Sequence, residues 1–363
     1  MSDLAAIELR GSPAAMGEAF GETFREETRG LTESRIGHLI EFVERHAPGR
    51  SVSREAVLGC VGQTVPAHES FDPAIWAEFR GIARAADLSV EELLVGNGYT
   101  DLRDVVLFAG PAAGSSGHEG ACSAFAVPAD LARGGHPIVG QTWDMNETAR
   151  PFVLVVRRKP ADAPETLGLT TAGCLCLMGM NSEGVAVGNT NLVPTDARPG
   201  VNYLFTITRA LRCASAAEAA DVVEAAPRAS GHNYYAADGR AAVNLETTAA
   251  RAHRTPVEGG VFVHTNHYLS EALRPVEFDG QDLRNSRWRY ETLAEAFGRL
   301  SPPLEMADCW RRLGAVTQDK VEEGNAVGQG IGTLAAIALC PAEGELLCCP
   351  GGPDEATPTV LTL

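Results

Sequence analysis

Cys122 is the residue of this sequence that is best placed to do chemistry. It follows a segment rich in Gly, Ala and Ser, PAAGSSGHEGA at 111–121, and it precedes SAFAV, a run typical of a β-strand. If the peptide bond between Ala121 and Cys122 is broken, the new α-amine lies on the residue that carries the thiol. An α-amine has a pKa of about 7.7–8.0 and can act as a base near neutral pH. One residue could then supply both a nucleophile and its base.

Metal and dinucleotide chemistry are not predicted. His264 and His267 are three residues apart in a predicted strand, so their side chains point to opposite faces and cannot bind one ion together. The sequence contains no Cys-x-x-Cys or His-Glu-x-x-His motif. The glycine cluster GQGIG at 328–332 lacks the strand–turn–helix setting and the later acidic residue of a dinucleotide site. We therefore expect no metal site and no cofactor.

The composition predicts a soluble globular protein. Its 363 residues are 45% hydrophobic and 21% charged, and 30 basic against 47 acidic residues give a net charge of -17. This charge opposes binding to nucleic acid or to an anionic membrane. The N-terminus lacks the basic region and apolar run of a secretory signal, and no apolar stretch approaches the length of a membrane span. Nine cysteines, an odd number, make a disulfide framework improbable and favour a cytoplasmic location.

The elements that must position Cys122 change in type along the chain. The first third has apolar residues at helical spacing, as at Ile36, Leu39 and Val43, and few patterns typical of strands. After Cys122, short runs typical of β-strands follow one another. Turn residues predict hairpins at 181–184, 238–239 and 343–344.

Helices reappear in the last third of the sequence. They are predicted at about 285–300 and 302–313, the second with Ser301 as its N-cap. The apolar runs TLAAIALC and ELLCC predict two paired strands near the C-terminus. Many strands with helix pairs between them predict an α+β domain in which sheets pack against helices.

Five sequence elements occur in an order that resembles the isopenicillin N acyltransferase family of self-cleaving acyltransferases and hydrolases. They are GACSAF, GQTWDMN at 140–146, GMNSEGVAVGNTN, LE at 245–246 and HTNH at 264–267. Upstream, GSPAAMGEAFGETF and EFRGIARAADLSVEELLVGN resemble the helical pro-region of that family. The resemblance implies a four-layer αββα sandwich of the N-terminal nucleophile (Ntn) hydrolase type, preceded by a helical pro-region.

The same resemblance implies roles for three residues. Cys122 would be the nucleophile of self-cleavage and of turnover, and the fragments 1–121 and 122–363 would remain associated. The carboxylate of Asp144 would hydrogen-bond or orient the new α-amine. Asn266 would donate its side-chain amide to the oxyanion of the tetrahedral intermediate, where loss of one donor costs about 10²–10³ in rate.

Three neighbouring residues are candidates to support this set. Ser123 offers a hydroxyl and an N–H group beside the nucleophile, and its role stays open. Trp143 precedes the predicted catalytic carboxylate. In a regular strand His264 would share a face with Asn266, whereas His267 would lie on the other face and tolerate substitution.

The sequence departs from the family pattern in three places. Residue 121 is Ala where the family usually has Gly, and residue 124 is Ala where a hydroxyl residue often stands. Near GQGIGTLAAIA there is no Arg at the place where the penicillin-forming member has one. These differences concern self-cleavage and the substrate more than the class of reaction.

The sequence is compatible with several alternatives. The substrate class is an amide in a small metabolite or peptide, with an acyl thioester as a further donor, and hydrolysis is not distinguished from acyl transfer. A second hypothesis is an internal Cys-His hydrolase that pairs Cys122 with His232, His264 or His267 and needs no self-cleavage. A third is a degenerate, non-catalytic binding domain that never cleaves.

Overall fold

The computed structural model of the chain describes residues 4, 6–47, 49–109, 121–320 and 330–363. Within these residues an eight-stranded sheet and a six-stranded sheet face each other, and helices cover both outer faces. A helical region precedes the first strand of the six-stranded sheet. The predicted α+β fold, a four-layer αββα sandwich preceded by a helical region, is therefore confirmed.

The helical region carries its apolar residues on buried faces, as the spacing predicts. Ile36, Leu39 and Val43 are all buried, and a capping box of Ser89 and Glu92 begins the helix Val90–Asn97. Among the described residues no helix combines the length and apolarity needed to cross a bilayer. The helices are α1 (Pro13–Thr23), α2 (Arg25–His46), α3 (Arg54–Gly62), α4 (Val65–Phe71), α5 (Pro73–Ala85), α6 (Val90–Asn97) and α7 (Tyr99–Phe108).

The N-terminal region also contains a strand, which the sequence analysis missed. Strand β1 (Ala6–Gly11) pairs in parallel with β4 (Val153–Pro160) and forms one edge of the eight-stranded sheet. Only Leu9 of this strand is buried. An edge strand with one buried side chain lacks the clear alternation by which strands are recognised.

The eight-stranded sheet has the order β1-β4-β5-β6-β7-β8-β9-β10. Its hairpins turn at 181–184 and 238–239, as predicted. Helices α8 (Tyr203–Ala210) and α9 (Ala216–Ala225) pack on its outer face. The remaining strands are β5 (Thr166–Thr171), β6 (Met178–Asn181), β7 (Ala186–Leu192), β8 (Gly231–Ala237), β9 (Ala242–Thr247) and β10 (Ala252–Pro256).

The six-stranded sheet has the order β11-β2-β3-β12-β13-β14. Its last predicted hairpin turns at 343–344, where Gly344 adopts a positive φ of 62°. Helices α10 (Arg284–Gly298) and α11 (Met306–Leu313) cover its outer face. The strands are β2 (Ala121–Val127), β3 (Ile138–Asn146), β11 (Phe262–His264), β12 (Ile331–Cys340), β13 (Glu345–Pro350) and β14 (Thr359–Thr362).

Alternate residues of β2 point into two different hydrophobic cores. Cys122, Ala124 and Ala126 belong to the large core that includes the space between the sheets. Phe125 and Val127 belong to the smaller core beneath α10 and α11. The alternation of a strand therefore directs the Cys122 side chain toward the interface of the two sheets.

Two predicted boundaries are wrong. Helix α11 begins at Met306 behind a capping box of Glu305 and Asp308, and Ser301 is not its cap. With Ser301 as the cap, Pro302 would be the first helical residue, but it precedes Pro303, and the helical conformation is disfavoured for a residue before a proline. Strand β11 ends at His264 and does not continue to 267. The next carbonyl, that of Thr265, accepts hydrogen bonds from side chains.

Candidate active site

Cys122 is the second residue of β2, between β11 and β3. Its main chain is held on both sides, because its N–H donates to Asn266 Oδ1 at 2.9 Å and its carbonyl accepts from the guanidinium of Arg289. The same guanidinium donates to Ser123 Oγ at 3.0 Å, so Ser123 faces α10 while the thiol faces the other sheet. The peptide unit of Cys122 is thereby fixed by side chains from two other elements.

The thiol of Cys122 lies in an environment that keeps it protonated in the uncleaved chain. Burial and the negative charge of Asp144 raise its pKa to about 12. The backbone N–H groups of Asp144 and Asn191 and the charge of Arg289 act in the opposite direction. The reactive thiolate therefore needs a nearby base, and these N–H groups and Arg289 favour it once it forms.

Asp144 lies beside the predicted scissile bond. It is the cross-strand partner of Ala121 in the β2–β3 pair, and Trp143 is the partner of Cys122. On its other side, a register shift in β12 between Thr333 and Ala335 falls opposite these two residues of β3. Bulges of this kind often re-aim side chains next to active sites.

The carboxylate of Asp144 keeps an open acceptor. Its Oδ2 accepts from Gln318 Nε2 at 2.8 Å, whereas its buried Oδ1 has no hydrogen-bond partner within the described part of the chain. Burial raises its pKa to about 6, and Arg289, Gln318 and Thr333 limit the rise. An ionised carboxylate with a free lone pair can accept a proton or hold an α-amine.

Asn266 connects the nucleophile to two further groups. Its Oδ1 accepts from the N–H of Cys122 and from Arg289 Nη2 at 2.8 Å. Because both partners can only donate, the oxygen of the amide group, and not its nitrogen, must face them. Its Nδ2 donates to the carbonyl of Asn191 at 2.9 Å. A side-chain amide has two N–H bonds, so the second remains available for a developing oxyanion.

Arg289 is a site residue that the sequence analysis missed. It is fully buried in α10, where burial lowers its pKa and the charges of Asp144 and Cys122 oppose that change. A guanidinium stays charged in proteins, so it supplies a positive charge beside the thiol. Its position is recognisable, because Arg289, Leu293 and Phe297 are spaced four residues apart on the buried stripe of the helix.

Asn191 was also missed, although it ends the GMNSEGVAVGNTN motif. It lies near the end of β7, the strand of the opposite sheet that approaches β2. Its N–H lowers the pKa of the Cys122 thiol, and its carbonyl accepts from Asn266 Nδ2. The motif marks the segment, but only the packing of the sheets identifies the N–H group.

The candidate histidines have other partners. His232 Nε2 lies 2.8 Å from Asp101, and His267 Nδ1 lies 2.8 Å from the Ser286 hydroxyl. His264 bonds to Glu246, and it shares no side-chain hydrogen bond with Asn266 within the described residues. None of the three rings hydrogen-bonds to the Cys122 thiol in that part of the chain, so the hypothesis of an internal Cys-His pair gains no support.

Two segments named in the sequence predictions lie wholly or partly outside the described residues. The glycine-rich segment before Ala121 and the first two residues of GQGIG lie outside the described residues. Within the described residues, no group of three or more His, Cys, Asp and Glu side chains is arranged to bind a metal.

Comparisons with known proteins place the chain in a family. Residues 131–355, more than half of the chain, match the family model for acyl-coenzyme A:6-aminopenicillanic acid acyl-transferase. A mutant of conjugated bile acid hydrolase from Clostridium perfringens is similar in structure, with a TM-score of 0.47 and 12% identity over 67% of this chain and 92% of that chain. Penicillin V acylase from Agrobacterium tumefaciens gives a TM-score of 0.44 and 15% identity over 66% and 84%. On the family match, the chain belongs to the acyl-coenzyme A:6-aminopenicillanic acid acyl-transferase family.

Proposed function

We propose that the chain is a self-cleaving cysteine enzyme of the Ntn type, which cleaves an amide or thioester bond and releases the acyl group to water or transfers it to an acceptor. The observation that carries this proposal is the setting of Cys122. Its main-chain N–H donates to Asn266, the Asn191 N–H favours its thiolate form, and the carboxylate of Asp144 has an open acceptor nearby. The family match supports the class of reaction but begins after Cys122.

Self-cleavage would begin with attack of the Cys122 thiol on the carbonyl carbon of Ala121. The C–N bond breaks, the nitrogen of Cys122 takes up a proton as a free α-amine, and the Ala121 acyl group stays on sulfur as a thioester. Water then hydrolyses the thioester to the Ala121 carboxylate and the free thiol. We assign the thiol proton to the carboxylate of Asp144, because its negative charge acts on the thiol and its Oδ1 has no hydrogen-bond partner among the described residues.

In turnover the α-amine would replace Asp144 as the base for the thiol. The thiolate attacks the substrate carbonyl, and the oxyanion accepts hydrogen bonds from the Asn191 N–H and from the second N–H of Asn266. Collapse of this intermediate expels the leaving amine, which takes the proton from the α-ammonium group. Water or an acceptor amine then releases the acyl group from Cys122.

Contacts between the two proposed fragments, 1–121 and 122–363, support their continued association. Asp101 accepts from the N–H of Tyr203 at 2.7 Å and lies 2.8 Å from His232 Nε2. A further buried bond, at 2.7 Å, joins the hydroxyl of Ser230 to Asp104. The first fragment also supplies strand β1 to the eight-stranded sheet. Breaking these contacts would leave buried polar groups without partners.

The proposed substrate is an amide in a small metabolite or peptide, with an acyl thioester as an alternative donor. The family is named for the transfer of an acyl group between coenzyme A, which carries it as a thioester, and the amine of 6-aminopenicillanic acid. Coenzyme A and 6-aminopenicillanic acid are both small molecules, and the acyl group is joined to the first by a thioester bond and to the second by an amide bond. The name therefore supports this substrate class without distinguishing hydrolysis from transfer.

The test is intact-mass measurement of the purified protein, followed by N-terminal sequencing of the larger fragment. We expect two masses that match 1–121 and 122–363, and a sequence that begins CSAFAV. A chain that remains intact and still turns over an amide would contradict the proposal.

A further inference from the structure

The loop that carries Asn266 has no regular structure to hold it. Strand β11 ends at His264, and residues 265–270 form neither helix nor strand. Backbone groups in a buried segment of this kind need side-chain partners, because no ladder satisfies them. The side chains that bond to this loop therefore determine where Asn266 lies.

The carboxylate of Glu246 binds both ends of the loop. Glu246 belongs to β9 of the eight-stranded sheet, whereas the loop continues from the six-stranded sheet. Its Oε1 lies 3.0 Å from His264 Nε2 and accepts from the N–H of Leu269 at 2.6 Å, and its Oε2 accepts from the N–H of Ser270 at 2.6 Å. Burial raises the pKa of Glu246, but His264 and the two N–H groups outweigh burial and lower it overall. The carboxylate is therefore ionised at neutral pH.

The ring of His264 has an oxygen acceptor at each nitrogen. Nε2 faces the Glu246 carboxylate, and Nδ1 lies 2.8 Å from the carbonyl of Thr265 and 3.1 Å from the hydroxyl of Thr190. That hydroxyl itself donates to the Thr265 carbonyl, so its oxygen is free to accept from the ring. The carboxylate and the carbonyl are both acceptors, so the ring is held by an oxygen on each side.

The other side of the loop is held by α10. The N–H of Asn266 donates to Ser286 Oγ at 2.8 Å, and Arg289 of the same helix donates to the Asn266 side chain. The loop is thus held on one side by β9 of the eight-stranded sheet and on the other side by α10, the helix on the outer face of the six-stranded sheet. If either side is released, the Asn266 amide can move relative to Cys122.

We propose that Glu246 and His264 are positioning residues, a buried hydrogen-bonded pair that holds the Asn266 loop so that the Asn266 amide meets the oxyanion formed at Cys122. This inference rests on the proposed function, since it assigns a purpose to the loop only if Cys122 is the nucleophile. Glu246 and His264 act through Asn266, and neither is proposed to contact the substrate.

The test compares two reactions of the cleaved Glu246→Gln protein. Glutamine keeps the volume but replaces one acceptor oxygen with an NH₂ group that faces N–H donors. We expect kcat for amide turnover to fall about 10²-fold with KM within about threefold, because a displacement of about 1 Å at a reacting centre costs about that much. Alkylation of Cys122 by iodoacetamide forms no oxyanion, so its rate should stay within about threefold of the unsubstituted protein.

Glu78→Gln is the matched control. Glu78 is also a buried carboxylate with a side-chain partner, Arg158 at 2.7 Å, but it lies in α5 and forms no hydrogen bond to the loop among the described residues. It should cost stability without changing kcat or alkylation. If Glu246→Gln does not fold, His264→Gln should show the same selective loss of kcat.

Two outcomes would overturn the inference. Normal kcat in the Glu246→Gln or His264→Gln protein would mean that Asn266 needs no such support. Equal losses of kcat and of alkylation would mean that the pair maintains the fold in general. Failure of the proposed function is a separate result, seen in the unsubstituted protein as an intact chain or as turnover that survives Cys122→Ala.

Discussion

The rate of self-cleavage should follow the ionisation of Asp144. Burial raises the pKa of this carboxyl to about 6, and its ionised form would take the proton of the Cys122 thiol, whose pKa is about 12. As the pH falls through 6 the carboxylate is protonated and the base is lost. The ionised fraction is about nine-tenths at about pH 7 and about one-tenth at about pH 5, so cleavage should be about tenfold slower at the lower pH.

Substitution of Arg289 should move this pH dependence in a defined direction. The positive charge of Arg289 lowers the pKa of Asp144, so Arg289→Gln should shift the midpoint of the rate profile above 6. Precursor purified in urea can be diluted into buffers from about pH 5 to about pH 8, and the intact band can be followed on gels over time. An unchanged midpoint in Arg289→Gln would refute the assignment of the profile to Asp144.

Arg158→Gln serves as the control for a general loss of stability. Arg158 is also buried and paired, with Glu78, but it lies on β4 of the other sheet. Removal of one partner of a buried ion pair typically costs about 3–5 kcal/mol. This variant should therefore unfold at a lower temperature while keeping the midpoint of the cleavage profile.

Three further outcomes are expected. Cys122→Ala should abolish both cleavage and turnover, whereas Cys122→Ser should cleave slowly and turn over poorly. Intact mass measures the cleavage and an amide assay measures the turnover. Cleavage at the same bond in the Ala variant would point to an external protease. Asn266→Asp keeps an acceptor toward Arg289 but removes the N–H donors. The kcat of the cleaved protein should therefore fall by a factor of about 10²–10³ with little change in KM. A normal kcat in this variant and in Asn266→Ala would remove Asn266 from the mechanism. Asp101→Ala leaves His232 and the Tyr203 N–H without their acceptor. The cleaved fragments should therefore separate at a lower urea concentration, as measured by size-exclusion chromatography. Separation at an unchanged urea concentration would mean that this contact does not hold the fragments together.

Local patterns predicted a large part of the fold. Turn residues at 181–184, 238–239 and 343–344 identified hairpins because each pattern lies within a few residues of chain. The αββα layers came from the family resemblance rather than from the spacing of residues. That resemblance also supplied the roles of Asp144 and Asn266, which remain predictions, although both side chains lie close to the predicted scissile bond.

The rest depends on packing between distant segments. Arg289 contacts Cys122 only because α10 lies on the outer face of the six-stranded sheet, and no short-range pattern indicates that contact. The face of His264 was predicted from a regular strand, but the strand ends at that residue. One feature of the sequence did indicate Arg289 as a site residue: an Arg on the apolar stripe of a predicted helix, where a charge is rarely buried without a partner.

Strand β1 bears on what kind of molecule self-cleavage would produce. The segment before Cys122 contributes an edge strand to a sheet whose other strands all follow the proposed cut. The segment 1–121 would then be a permanent subunit that donates a strand to its partner, and not a pro-peptide to be discarded. A chain made as 122–363 alone would begin with the reactive amine but would leave β4 as an unprotected edge, a surface open to pairing with other chains. Synthesis as one polypeptide would therefore complete the sheet before the proposed self-cleavage separates its two contributors.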